Sequence, residues 1–143
     1  MRALEISRTG LDVEWKRLEV IAQNIANAST VRTATGEPFQ AMRLVSGPKA
    51  RFADLVAKGQ PTGNSLGGVE VYGVEPVAAP PRRVYEPANP QADADGYVDY
   101  PGFDHAAEMA LMVKTSRAYE ADIVAMTAAR QMYGKALDIG KRS

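Results

Sequence analysis

The feature that most constrains the fold of this chain is a long helical pattern in its last quarter. Neither Pro nor Gly occurs between Phe103 and Gly134. Large apolar residues recur there at heptad spacing: Met109, Met112, Tyr119, Ile123, Met126, Tyr133 and Leu137. We call this set the C-terminal stripe. A helix with this spacing carries one narrow apolar line that needs a partner helix. We therefore predict a helix from Asp104, as its N-cap, to about Gly140.

A second apolar line with the same spacing lies at the other end of the chain. Its members, which we call the N-terminal stripe, are Leu4, Leu11, Trp15, Leu18, Ala22 and Ile25. The pattern predicts a first helix from about Ala3 to Asn27. Because both terminal helices carry a heptad stripe, we predict that they pair as an α-helical coiled coil. On periodicity alone, a small soluble helical bundle explains the pattern equally well.

Two asparagines near the end of the first helix allow two interpretations. Asn24 and Asn27 are three residues apart and therefore share a helix face. Asn tolerates the backbone conformation that ends helices, so both residues could simply close the helix. A polar residue within a helix contact can instead fix the alignment of the helices at a cost in stability. The residues alone favour the first interpretation.

Between the helices the pattern predicts a small β region and an irregular loop. Residues 31–68 are rich in Gly and Pro, with only a short apolar alternation around residues 39–45. Two helical turns at residues 52–58 and a flexible loop at residues 59–68 are expected from composition. Three short strands are predicted, at residues 69–77, 82–87 and 96–101. The predicted fold is therefore mainly α, with a three-strand β element and an irregular loop between the paired helices. The N-terminal helix is assigned to residues 1–30, the central loop and β region to residues 31–102, and the C-terminal helix to residues 103–143.

Composition and motifs offer little material for catalysis. The 17 basic and 17 acidic residues cancel, which argues against a nucleic-acid partner. The chain has no Cys, so thiol chemistry and Cys metal sites are excluded. Its one His, His105, falls in the first turn of the predicted long helix, and the Asp93–Gly96 stretch is typical of a turn. No cofactor, metal or small-molecule substrate is expected, and no apolar run is long enough to span a membrane.

Several stretches carry a specific family resemblance. IAQNIANAST (residues 21–30) resembles the N-terminal signature of the flagellar axial proteins, the rod and hook family. YEPANPQADADGYVDYP (residues 85–101), continuing into the EM and SRAYEA segments of residues 106–126, is similar to the proximal rod type within that family. No Gly-aromatic pair follows Thr30 and no large insert is present, which also favours the proximal type. Residues 42–67 match nothing in this pattern.

The resemblance implies a non-enzymatic structural subunit of the flagellar basal body. It implies export through the flagellar export gate without a cleaved signal peptide, then polymerisation with copies of itself and with other proximal and distal rod proteins. The resulting periplasmic rod would transmit torque to the hook. The expected subunit interface comprises both stripes together with Asn24 and Asn27, and the resemblance favours the alignment role for these asparagines. The alternatives are a soluble helical adaptor or export chaperone and, less well supported, a metal enzyme using Asp93, Asp95 and His105.

Overall fold

A computed structural model describes residues 2–49, 67–102 and 104–140 of the chain. In chain order the elements are α1 (Arg2–Ala26), β1 (Met42–Pro48), β2 (Val69–Pro76), β3 (Arg82–Tyr85), β4 (Tyr97–Tyr100) and α2 (His105–Gly140). The mainly α class and both terminal helices are confirmed. The turns expected at residues 52–58 lie outside the described residues, as does most of the loop expected at residues 59–68.

The two helices run antiparallel and pack against each other. Near the start of α1, a Cβ atom on Gly10 would lie 2.8 Å from the Asp122 carboxylate of α2. Towards the end of α1, the Asn24 side-chain amide donates to Glu108 at 3.3 Å. Residue numbers therefore rise along α1 as they fall along α2.

The Asp104 cap predicted for α2 is confirmed. The Asp104 carboxylate accepts the N–H groups of Ala106 and Ala107 at 2.9 Å and 3.3 Å. These two donors have no partner within the helix, so the side chain satisfies them and fixes where α2 begins.

The predicted three-strand element is wrong in its strand count. The described residues form four strands in two separate two-stranded antiparallel sheets, β1–β2 and β3–β4. The three predicted strands exist, but β1 was missed because its apolar alternation is short and ends at Gly47 and Pro48. β2 pairs with this missed strand rather than with β3, and the prolines at 76, 80 and 81 separate the two sheets.

The core lies between α1 and one face of the β1–β2 sheet. Paired residues share a face, so Leu44 and Val74 lie on the same side of this sheet. Val13 and Val20 of α1 pack against Leu44, with Met42 at the edge of the cluster. This contact fixes which side of α1 faces inward, and it therefore decides which residues remain available for other helices.

The second sheet is a hairpin closed by an aspartate turn. The Asp93 carboxylate accepts the N–H groups of Asp95 and Tyr97 at 3.0 Å and 2.8 Å. Gly96 has a φ of 81°, a conformation that costs glycine little and other residues more. The turn predicted at Asp93–Gly96 is confirmed, and the Asp93 carboxylate accepts hydrogen bonds from the backbone of its own turn.

We expect the substitution Gly102→Ala to destabilise the chain by about 3 kcal/mol, because overpacking against a fixed group cannot relax. A Cβ atom on Gly102 would lie 1.8 Å from the backbone carbonyl oxygen of Pro80. The control is Gly134→Ala in α2, where the added Cβ meets nothing within 4 Å. Because Ala is the better helix former, the control should gain about 1 kcal/mol. Urea unfolding measures both changes, and equal stability of the two variants would contradict the close approach at Gly102.

Candidate assembly interface

The N-terminal stripe lies along one side of α1 and is only partly covered. Leu4, Leu11, Leu18 and Ile25 are half-buried, Ala22 is exposed and Trp15 is 53% exposed. The Trp15 ring contacts the Tyr119 ring of α2 at a centroid distance of 6.1 Å. The stripe therefore lies beside α2 and remains open to solvent along its outer edge.

The buried side of α1 includes Glu14 and Ile21, each of which lies one position before an exposed stripe residue, Trp15 or Ala22. Ile21 is buried and Glu14 is half-buried, whereas Trp15 and Ala22 are exposed. Relative to the predicted stripe, the buried side of α1 is rotated towards β1. The contact of Val13 and Val20 with the sheet accounts for this rotation. Glu14 and Ile21 were not predicted for this side, although both also stand at heptad spacing from Leu18.

Glu14 is an unusual member of this buried side. Its carboxylate pairs with Arg17, and Arg17 also donates to the Ser46 hydroxyl of β1 at 2.8 Å. The second carboxylate oxygen of Glu14 is buried and has no hydrogen-bond partner among the described residues. Arg17 thus connects α1 to the first sheet at a second point, beside the apolar core.

The C-terminal stripe divides into a covered and an uncovered part. Met112, Tyr119 and Met126 are half-buried on the side of α2 that holds the buried Thr115. The remaining members are exposed by 40–48%: Met109, Ile123, Tyr133 and Leu137. The stripe of one chain therefore keeps a substantial apolar surface that its own α1 does not cover.

The last ten residues of α2 extend past the start of α1. Leu4 and Arg8 of α1 line a cleft with Met126 and Arg130, and every residue in 131–140 is exposed. Ten helical residues extend about 15 Å. In this overhang, which comprises residues 131–140, Met132 is 66% exposed and Ile139 is 70% exposed. The overhang also contains Tyr133 and Leu137, the last two members of the C-terminal stripe. Contiguous apolar surface of this kind marks interaction sites.

Asn24 does not end α1. It is 1% exposed, and its side chain makes two hydrogen bonds with the backbone of Met42 in β1. A third bond, at 3.3 Å, reaches Glu108 of α2. The helix continues to Ala26, so the side chain joins three elements instead of closing one.

Asn27 has the helix-ending role instead. Its side-chain amide donates to the Gln23 carbonyl at 2.9 Å, and its side-chain oxygen accepts from the Thr30 hydroxyl at 3.2 Å. The two asparagines were predicted to share one role, and the structure separates them. Spacing alone could not distinguish them, because the strand that binds Asn24 was itself not predicted.

Candidate catalytic residues are not brought together. His105 is exposed in the first turn of α2, and the Asp93 carboxylate is used by its own turn. Within residues 2–49, 67–102 and 104–140, no three acidic or His side chains are grouped so that they could hold a metal ion. In the same part of the chain, neither helix combines the length and apolarity required to cross a membrane.

The aspartate turn provides a pH-dependent prediction. The N–H donor of Tyr97, followed by that of Asp95 and by Arg83, holds the pKa of the Asp93 carboxyl below its ordinary value of about 3.9. Because the folded pKa is lowered, the turn is stabilised above the unfolded pKa, and this stabilisation is lost as the pH falls through the folded pKa. We expect the amide resonance of Tyr97 to titrate with a midpoint below about 3.9.

A matched pair of substitutions checks this assignment. Asp93→Asn should remove the titration from the Tyr97 amide, whereas Asp95→Asn should leave it in place. A Tyr97 titration that persists in Asp93→Asn would assign the effect to another carboxyl group.

Comparison with known proteins places both terminal helices in flagellar rod families. Residues 4–32 match the family described as "Flagella basal body rod protein". Residues 94–139 match the family described as "Flagellar basal body rod FlgEFG protein C-terminal". These two segments contain nearly all of α1 and α2 together with strand β4.

Curated relatives match over almost the full length. The flagellar basal-body rod protein FlgC of Salmonella typhimurium is 38% identical, over 99% of this chain and 98% of the relative. The FlgC proteins of Bacillus subtilis and Borreliella burgdorferi are each 33% identical, over 97% and 96% of this chain and 97% and 95% of the relatives, respectively. Identity at this level over almost the whole chain shows that the chain belongs to the FlgC family of flagellar basal-body rod proteins.

Proposed function

We propose that this rod subunit polymerises through its two terminal helices, which form the inner layer of the proximal rod as a coiled coil. The observation that carries the proposal is the uncovered apolar surface of α2, above all the overhang at residues 131–140. In a single chain this surface faces water. A neighbouring helix that covers it would bury the exposed half of Tyr133 and of Leu137 and so stabilise the assembly by about 1 kcal/mol for each side chain.

The proposed partners are further copies of this chain and other proximal and distal rod proteins. The uncovered stripe of α2 and the outer edge of the N-terminal stripe are different surfaces. A contact between two different surfaces that repeats without closing into a ring generates a helical tube, and we propose a contact of this kind here. In this arrangement residues 1–30 and 103–143 form the helical layer, and residues 31–102 form the part outside it.

We further propose that the subunit reaches a periplasmic rod through the flagellar export gate, without cleavage of a signal peptide. The resemblance of residues 21–30 to the axial-protein signature supports this route. In the assembled rod the chain would transmit motor torque to the hook. A soluble helical adaptor or export chaperone is not favoured, because the family consists of structural rod proteins.

Chemical protection of the overhang tests the proposed interface. The chain contains no Cys, so the variants Met132→Cys and Ile139→Cys each introduce a single reactive thiol. Both positions are exposed in the single chain and should react rapidly with a maleimide. In purified basal bodies we expect labelling to slow by about ten-fold or more, because packed helical interfaces exclude solvent.

Asp95→Cys is the matched control, since Asp95 lies on the exposed turn of the hairpin. It should label at similar rates in the free chain and in the basal body. Equal labelling of all three positions in both states would contradict packing of the overhang against another subunit.

A further inference from the structure

We propose that Asn24 is the positioning residue that sets the orientation of the β1–β2 sheet on the helix pair, by occupying the place of a third strand at the edge of β1. The inference rests on the proposed function in one respect, namely that a rod subunit needs a fixed connection between its helical layer and the part outside it. The geometry itself does not depend on that function.

The hydrogen bonds of Asn24 reproduce those of a neighbouring strand. Its amide nitrogen donates to the Met42 carbonyl at 2.8 Å, and its side-chain oxygen accepts the Met42 N–H at 2.9 Å. Exchange of both backbone groups of one residue is the pattern of a hydrogen-bonded pair in an antiparallel ladder. β2 lies on the other side of β1, opposite Met42 at Pro76. The Asn24 amide therefore satisfies the edge of β1 at the residue where the strand begins.

The third bond extends this connection to α2. The same amide nitrogen has a second hydrogen, and it donates to the Glu108 carboxylate at 3.3 Å. Glu108 lies in the first turn of α2, next to the Asp104 cap. One side chain thus connects the end of α1, the beginning of β1 and the beginning of α2.

The other contacts between α1 and the β1–β2 sheet restrict the orientation of the sheet less than Asn24 does. Val13, Val20 and Leu44 form an apolar cluster, and apolar contacts are not directional. Two other hydrogen bonds join α1 to the sheet: Arg17 donates to the Ser46 hydroxyl at 2.8 Å, and Thr9 accepts the Val69 N–H at 3.1 Å. The Arg17 side chain is 27% exposed and the Thr9 bond is exposed to solvent, so water can replace either partner more readily than at Asn24. Asn24 is 1% exposed, so turning the sheet would leave its amide and the Met42 backbone groups buried without partners. Unsatisfied buried groups of this kind are costly, which favours a single orientation.

Distance measurements between two spin labels test the proposal in the full-length chain. The labels are attached through Glu75→Cys at the end of β2 and Glu120→Cys on α2, two exposed positions in a chain that has no other Cys. In the parent chain we expect a narrow distance distribution. Asn24→Ala should widen it about two-fold or more and should accelerate exchange of the Met42 amide by about ten-fold.

Asn27→Ala is the matched control. It removes the same type of side chain one turn later, where the bonds reach only Gln23 and Thr30. The control should keep the narrow distribution. A distribution in Asn24→Ala as narrow as that of the control would overturn the proposal, even if exchange of the Met42 amide became faster.

Asn24→Asp provides a second and independent readout. A protonated carboxyl group can accept the Met42 N–H and donate to the Met42 carbonyl, whereas a carboxylate can only accept. The distribution should therefore be wide at high pH and should narrow on acidification, while Asn27→Asp should show no such recovery. If Asn24→Ala does not fold, this recovery decides the matter, and a distribution that stays wide at low pH overturns the proposal.

Swimming assays separate this inference from the proposed function. If the chain assembles as proposed and the connection matters, Asn24→Ala should be incorporated into basal bodies but swim more slowly than Asn27→Ala. Normal swimming with a widened distribution would overturn the functional part of the inference, while assembly through the terminal helices would still be supported.

Discussion

Replacing Ile123 with Asp is expected to abolish swimming while the isolated chain remains folded. Ile123 belongs to the uncovered part of the C-terminal stripe and is 40% exposed in the single chain. A carboxylate at this position keeps contact with water in the monomer, so it should cost less in folding than in assembly. In a packed helical layer the same carboxylate would be buried without a partner, at a cost of about 3 kcal/mol or more per contact. That cost recurs for every subunit that joins.

Two measurements on the same variant separate assembly from folding. Circular dichroism of purified Ile123→Asp should match the parent chain, while soft-agar motility should be lost. His105→Ala is the control, because His105 is exposed and has no proposed role. It should swim normally. Normal swimming by Ile123→Asp would remove this residue from the interface, and a non-motile His105→Ala strain would restore the enzymatic alternative.

Val20→Asp, unlike Ile123→Asp, should destabilise the isolated chain, because the substitution acts on the core of the fold. Val20 is 9% exposed and packs with Val13 and Leu44 between α1 and the first sheet. An aspartate there loses the apolar contact and buries a charge, which we expect to cost about 3 kcal/mol or more. For a chain of this size the midpoint of thermal unfolding should fall by roughly 10 °C.

Val124→Asp is the matched control for this core substitution. Val124 is 67% exposed on α2, so the same change should leave the unfolding midpoint of the isolated chain within about 2 °C of the parent. Calorimetry compares the two variants directly. If both lowered the midpoint equally, α1 would not be held by the core described here.

The helices could be predicted from the sequence because their signals are local. The heptad lines, the Asp104 cap and the absence of Pro and Gly before Gly134 locate α2 without reference to any other element. β1 could not be found this way. Its existence depends on pairing with β2, twenty or more residues later in the chain, and on the bonds that Asn24 makes to Met42.

The distinction between local signals and long-range contacts also explains how much of the candidate interface could be predicted. Spacing predicted an apolar stripe on α1, but spacing cannot determine how far the helix is rotated. That rotation follows from the Val13 and Val20 contact with the sheet, which brings Ile21 inside and leaves Trp15 at 53% exposure. Whether the stripes and the two asparagines contact other subunits stays a prediction.

The functional prediction depended on a different kind of signal. Composition and periodicity indicated only a helical protein without an active site. The motif at residues 21–30 and the segment at residues 85–126 indicated the rod family. Membership of the FlgC family confirms the prediction of a structural, non-enzymatic rod subunit of the flagellar basal body.

Electron cryo-microscopy of purified basal bodies tests the central claim most directly. The sample should come from a strain in which this chain is the only member of its family. The account predicts that α1 and α2 lie antiparallel in the inner layer of the proximal rod, with residues 131–140 packed against an adjoining subunit and the β1–β2 sheet outside that layer. A rod in which the two helices face outward, or in which residues 131–140 contact no other subunit, would contradict it.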